Sequence, residues 1–167
     1  MSNWYGCSSG GSGAGYWAKI QITEAGKYSF ITGQGGITFG GAKGTSASGT
    51  PGTTSSIIHH VDETTSTIVI QTTGGTAAAW QVLGTGGTLT KGSDLHELTV
   101  YTSTNGHDGN GGFNKHGKCT TAPGPISGHT WGRSGSASGD SGGGSVKDPS
   151  CHGYIKVRYI PPTQEEP

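Results

Sequence analysis

Gly10-Gly11-Ser12-Gly13-Ala14-Gly15-Tyr16-Trp17-Ala18-Lys19-Ile20-Gln21-Ile22 carries the two signals that decide the fold. A glycine tract runs straight into a strand. Within the strand Ala18, Ile20 and Ile22 share one face, and Lys19 and Gln21 take the other, the two-residue period of a pleated chain. The glycines before it lack a Cβ, so other backbones can approach closely. After it, Glu24-Ala25-Gly26 reads as a tight turn. Residues 27–32 then read as a returning strand with Tyr28 and Phe30 on one face, which predicts a β-hairpin with the first strand.

The same two signals recur outward from this stretch. Residues 56–61 and 67–71 read as strands joined by a hairpin loop at 62–66, and 80–83 and 95–102 as two more. Tyr154-Ile155-Lys156-Val157-Arg158-Tyr159-Ile160 alternates strictly, with Ile155, Val157 and Tyr159 on one face and Lys156 and Arg158 on the other, until Pro161-Pro162 stops it. No segment sustains a helical apolar period, and Ala77-Ala78-Ala79 is too short to form a helix alone. The intervening stretches 33–56 and 105–150 are rich in Gly, Ser and Thr. Gly106, Gly109 and Gly112 recur every third residue, as do Gly132 and Gly135, and Gly139 and Gly142. That period matches a left-handed extended helix of three residues per turn, while a plain low-complexity linker would show the same composition. The expectation is an all-β domain over residues 1–162: a small β-sandwich-like scaffold with glycine-rich extended (polyglycine II-type) segments and long loops. Residues 163–167 read as a flexible tail, and the two chain ends are expected to lie close together.

Composition sharpens that expectation. Only 29% of the 167 residues are hydrophobic, too few for an interior made of side chains alone, whereas 34 are glycine. Such a chain either stays disordered or gains order from main-chain packing. Its 4 Trp, 6 Tyr and 3 Phe argue for order, because disordered chains are poor in aromatics. Ten Lys and Arg balance ten Asp and Glu, so there is no basic footprint for nucleic acid. No apolar run is long enough to insert in a membrane as a helix. The opening Met1-Ser2-Asn3-Trp4-Tyr5-Gly6-Cys7 has neither a charged n-region nor an apolar h-region, so synthesis in a cytoplasm without Sec-type export is expected. Three cysteines, Cys7, Cys119 and Cys151, form no closed disulfide framework, although a Cys119–Cys151 bridge after release is compatible with the count.

Two stretches carry a resemblance. Gly13-Ala14-Gly15-Tyr16-Trp17-Ala18-Lys19, Ile20-Gln21-Ile22-Thr23, Gly26-Lys27-Tyr28-Ser29-Phe30 and Gly33-Gln34-Gly35-Gly36 in succession resemble the opening of the glycine-rich domains of phage tail-fibre and receptor-binding (adhesin) proteins. Gly153-Tyr154-Ile155-Lys156-Val157-Arg158-Tyr159 resembles their closing strand. The resemblance implies a β scaffold carrying bundled polyglycine-type helices on the surface of a virion, often at a receptor-binding tip. It implies as partners other virion proteins or copies of the chain itself, and a host surface glycan or outer-membrane protein. A small structural component of a tail, fibre or capsid surface fits the same residues.

Other motifs point to chemistry more weakly. Gly139-Asp140-Ser141-Gly142-Gly143 matches the nucleophile segment of chymotrypsin-like serine proteases, with His59 or His60 and Asp94 in the required chain order. The cysteine that usually precedes that segment is missing, and the motif sits in a Gly/Ser stretch where it arises by chance. His116, Cys119, Cys151 and His152 are zinc-ligand types, but adjacent residues on a strand point to opposite faces. Gly33-Gln34-Gly35-Gly36 and Gly84-Thr85-Gly86-Gly87 lack the Lys-Ser/Thr step of a phosphate loop, and Asp62-Glu63 reads as a solvated turn. The expectation is therefore a binding protein and not an enzyme, with no metal and no cofactor. Candidate receptor contacts are the polar and aromatic residues of the glycine-rich loops: His107, Asp108, Phe113, Asn114, His129, Trp131 and Arg133. The aromatics among them would equally serve to pin the glycine segments to the sheet. A self-assembling extracellular filament or surface subunit, and an ice-binding protein with Thr-rich faces, are the rival classes.

Overall fold

The computed structural model describes residues 7–8, 11–36, 49–77, 83–108, 111–112, 136–140, 143–148 and 152–161. Among these there is no helix. Four antiparallel strands form the larger sheet in the order β3 (Lys27–Ile31), β4 (Ser55–His60), β5 (Ser66–Thr72) and β6 (Leu89–Lys91). A separate ribbon pairs β2 (Gly15–Gln21) with β7 (His96–Thr104). Two further antiparallel pairs join β1 (Cys7–Ser8) to β8 (Gly111–Gly112) and β9 (Ser136–Asp140) to β10 (Gly143–Asp148). The fold is all-β.

The strands end where the glycines begin, but the registers run on. Gln34 follows β3 and Thr53 precedes β4; Thr53 N–H donates to Gln34 C=O at 2.9 Å, in the register set by Ile31 opposite Ser56. Thr73 N–H donates to Thr88 C=O and Thr76 N–H to Thr85 C=O, continuing the pairing of Thr72 with Leu89. Gly52 N–H reaches Gly75 C=O in the register of β4 with β5. Ser12 N–H donates to His107 C=O, midway between Gly15 opposite Thr104 and Ser8 opposite Gly111. Bonds between neighbouring segments recur every third residue: Gly11 to Thr76 and Ala14 to Thr73; Thr73 to Thr88 and Thr76 to Thr85. A strand ladder repeats every second residue, whereas a three-residue turn repeats every third.

These segments also join the two sheets. Residues 11–14, which lead into the ribbon, bond laterally to 73–76, to His107 and to Gly87. Residues 84–88, which lead into the larger sheet, bond to 73–76, to Gly106 and to Ser12. A strand in a flat sheet has at most two lateral neighbours; each of these has three, so the glycine zone is a bundle. A Cβ on Gly75 would run into the Gly11 carbonyl, and one on Gly86 into the Gly106 carbonyl, so main chains meet where side chains would otherwise stand. The interior matches this. Among the described residues the one buried hydrophobic side chain is Ile70, while Ser12, Ser55, Ser56 and His59 are buried polar groups.

Most predicted strands stand, with three corrections. The hairpin of residues 56–61 and 67–71 corresponds to β4–β5, and the strand read at 95–102 corresponds to β7, which begins at His96. The predicted pairing of the first strand with the second does not form: β2 pairs with β7 and β3 with β4, because turn 22–26 carries the chain from the ribbon to the larger sheet. Residues 154–160 belong to no strand, although Gly153 N–H donates to Gly33 C=O at 2.9 Å and so brings the C-terminal segment beside the end of β3. Gly139, read as part of a three-residue repeat, lies in β9 opposite Gly144, since β10 offers it a continuous ladder. Strand β6 has no counterpart in the sequence reading; its three residues, Leu89-Thr90-Lys91, are too few to show alternation. The predicted strand at 80–83 falls outside the described residues except for Leu83.

Candidate functional site

The segments of the glycine zone all run alongside one another, with the strands at one end. At the other end Thr50 lies against Gly36, Thr85 is bonded to Thr76, and the His152 ring accepts from Gly35 N–H. The turns 22–26, 61–65 and 92–95 occupy the opposite end, beyond the strands.

Of the candidate receptor contacts, His107 and Asp108 sit in the bundle, beside Ser12 and Gly86. His107 is clamped by its backbone: its N–H donates to Ser12 Oγ at 2.8 Å and its carbonyl accepts from Ser12 N–H, leaving an exposed residue. The Asp108 carboxylate accepts from Gly86 N–H at 2.8 Å, so it holds the bundle together. Phe113, Asn114, His129, Trp131 and Arg133 lie outside the described residues, as do Cys119 and Cys151. Of the four zinc-ligand types only His152 is described, and its Nδ1 accepts from Gly35 N–H at 3.0 Å. Among the described residues no group of three His, Cys, Asp or Glu could hold a metal ion.

The protease candidates are not brought into relay among the described residues. His59 is buried, stacked on Tyr28 with centroids 4.6 Å apart, and its Nδ1 faces Glu24 at 3.6 Å. Its Nε2 has no hydrogen-bond partner and lies under Gly26, where a Cβ would approach to 2.5 Å. His60 bonds to Ser29 and Ser66 hydroxyls, and Asp94 accepts from Ser93 Oγ. Ser141 is outside the described residues.

Three groupings were not apparent from the sequence. Tyr16 on β2 donates a short hydrogen bond to Glu97 on β7, and Lys91 on β6 pairs with the same carboxylate at 2.8 Å and lies over the Tyr16 ring. This clamp ties the ribbon to the larger sheet. Burial, then the bond to Glu97, holds the Tyr16 phenol well above the ordinary tyrosine range, and Lys91 followed by Tyr16 holds Glu97 below the ordinary carboxylate range. Trp17 and Tyr101 form a half-exposed aromatic pair 4.5 Å apart, where a bulge in β7 sets Tyr101 beside Trp17. At the far turn, Asp62 Oδ1 accepts from Thr64 N–H, Thr64 Oγ1 and Thr65 N–H, and these bonds push its carboxyl down to about 2. All but the last join residues remote in the chain, which no local pattern reveals. The Asp-x-Thr-Thr spacing of the last is a recognisable side-chain turn. No family model, curated protein or solved structure matches this chain.

Proposed function

We propose that this chain is a virion structural protein that acts by binding, as a tail-fibre or tip component or host-recognition adhesin, without covalent chemistry. One observation carries the reading: glycine-rich segments pack side by side through main-chain hydrogen bonds, and the candidate contacts His107 and Asp108 stand exposed at one end of that bundle. A rigid base suits recognition, because residues displayed on it lose little further freedom on binding. The further candidate contacts Phe113, Asn114, His129, Trp131 and Arg133 follow His107 and Asp108 in the sequence. The three-residue spacing of the inter-segment bonds supports polyglycine II-type packing as that base. A host surface glycan or outer-membrane protein is the fitting partner, since aromatic rings and nearby hydrogen-bonding groups stack on and grip sugars and protein loops alike.

The test is location and binding together. Immunogold labelling of purified virions should mark a fibre or tip, and Trp131→Ala with Arg133→Ala should reduce adsorption to host cells at least several-fold without shifting the unfolding midpoint. A chain absent from purified particles would sink the reading. A self-assembling filament is the second reading, favoured by the regular open edge of β3. Fibres seen by electron microscopy from purified chain would support it.

A further inference from the structure

The larger sheet and the β2–β7 ribbon present outer edges on β3, β6, β2 and β7, and natural proteins guard such edges against stray pairing. The β2–β7 ladder is broken by two register shifts, and Lys19 sits in the middle of β2. Strand β6 is only three residues long. Strand β3 is less guarded: its one lysine, Lys27, stands at the end of the strand, Lys27 to Ile31 run in unbroken register with β4, and the other side of the strand is open among the described residues. At its end, Gly153 N–H already donates to Gly33 C=O. The residues that follow, Ile155 to Ile160, alternate as a strand yet lie in no ladder.

We infer that residues 155–160 form a strap that closes in cis on the open edge of β3, as a fifth, antiparallel strand. The existing Gly153–Gly33 bond sets the register. It places Ile155 opposite Ile31, Val157 opposite Ser29 and Tyr159 opposite Lys27. On the other face Lys156 falls opposite Phe30 and Arg158 opposite Tyr28. The pairing therefore joins one aliphatic pair and three cation–aromatic pairs, and no like charges face each other. Closure also moves the open edge outward, from unguarded β3 to a strand bearing Lys156 and Arg158 and ended by Pro161-Pro162, a guarded edge. Because His152 and Gly153 already bond to Gly35 and Gly33, the strap extends that attachment along β3. A closed strap also removes the edge on which filament growth would rely.

Two measurements on the full chain test this. Amide exchange should alternate along the strap: Ile155, Val157 and Tyr159, whose N–H groups share the side of Gly153, should exchange at least about tenfold more slowly than Lys156 and Arg158. Val157→Pro should abolish that protection at Ile155 and Tyr159 and leave β4–β5 amides unchanged. Uniformly fast exchange from Ile155 to Ile160 in the unmodified chain would overturn the proposal. In the second, Ser29→Cys with Val157→Cys is oxidised in a mixture of isotope-labelled and unlabelled chains, and the disulfide is mapped by mass spectrometry. Linked peptides should come from single chains. Peptides of mixed isotope would show that a second copy supplies the strand, and failure to link positions 29 and 157 would show an empty edge; either result overturns closure in cis.

Discussion

At the scale of the residue, the glycines of the bundle act through what they lack. Gly75→Ala drives a methyl group into the Gly11 carbonyl, where main chain on both sides leaves no room to yield. It should cost about 3 kcal/mol or prevent folding. Gly52→Ala meets its nearest neighbour, Gly74 Cα, at 3.3 Å and should cost about 1 kcal/mol or less. Urea midpoints of the two variants check the contrast, and equal midpoints would deny the glycine zone its packing role. Tyr16 gives a second residue-scale prediction. The fold favours its neutral phenol, so its contribution is complete below the ordinary tyrosine range and is lost as pH rises from that range through the higher folded value. Ultraviolet titration should show one tyrosine ionising only together with alkaline unfolding, and Tyr16→Phe should remove that phase.

At the scale of the element, the β4–β5 hairpin is the part most legible in the chain. Alternating Ile57, Ile68 and Ile70 mark its strands, and Asp62 with Thr64 and Thr65 ties its turn. The folded Asp62 carboxyl lies at about 2, below its unfolded value of 3.8. Its stabilising contribution is therefore present above about pH 4 and is lost as pH falls towards 2. The unfolding midpoint of the unmodified chain should fall over that window by more than that of Asp62→Ala. Parallel curves would exclude the turn as an acid-sensitive element. The β2–β7 ribbon behaves differently. Two strands alone are marginal, and this pair is held by its continuation into residues 11–14 and 105–108 and by the Tyr16–Glu97–Lys91 clamp.

At the scale of the whole molecule, stability resides mainly in the bundle that joins the sheets. The amides of Gly11, Ser12, Gly87 and Gly106 each donate across segments, at 2.7–3.1 Å. They should rank among the slowest to exchange, slower than the exposed middle of β7, in hydrogen-exchange measurements. Faster exchange there than in β7 would place the stable unit elsewhere. Added salt should change the unfolding free energy by less than about 1 kcal/mol, because neutral main-chain bonds are hardly screened and the Lys91–Glu97 pair is partly exposed.

The sequence alone determined the all-β class, most strand positions and the reliance on glycine, because alternation and composition are local properties that survive without knowledge of partners. Tertiary structure alone decided which strands pair. Turn 22–26 looks like a hairpin turn, yet β2 finds β7 and β3 finds β4, since pairing is settled by register across remote segments. It likewise decided that Asp108, read as a receptor contact, braces Gly86, that Tyr16, Lys91 and Glu97 meet, and that Tyr154 to Ile160, strand-like in pattern, stays out of every ladder. A strand needs a partner as well as a pattern, and the partner is a fact of three-dimensional packing.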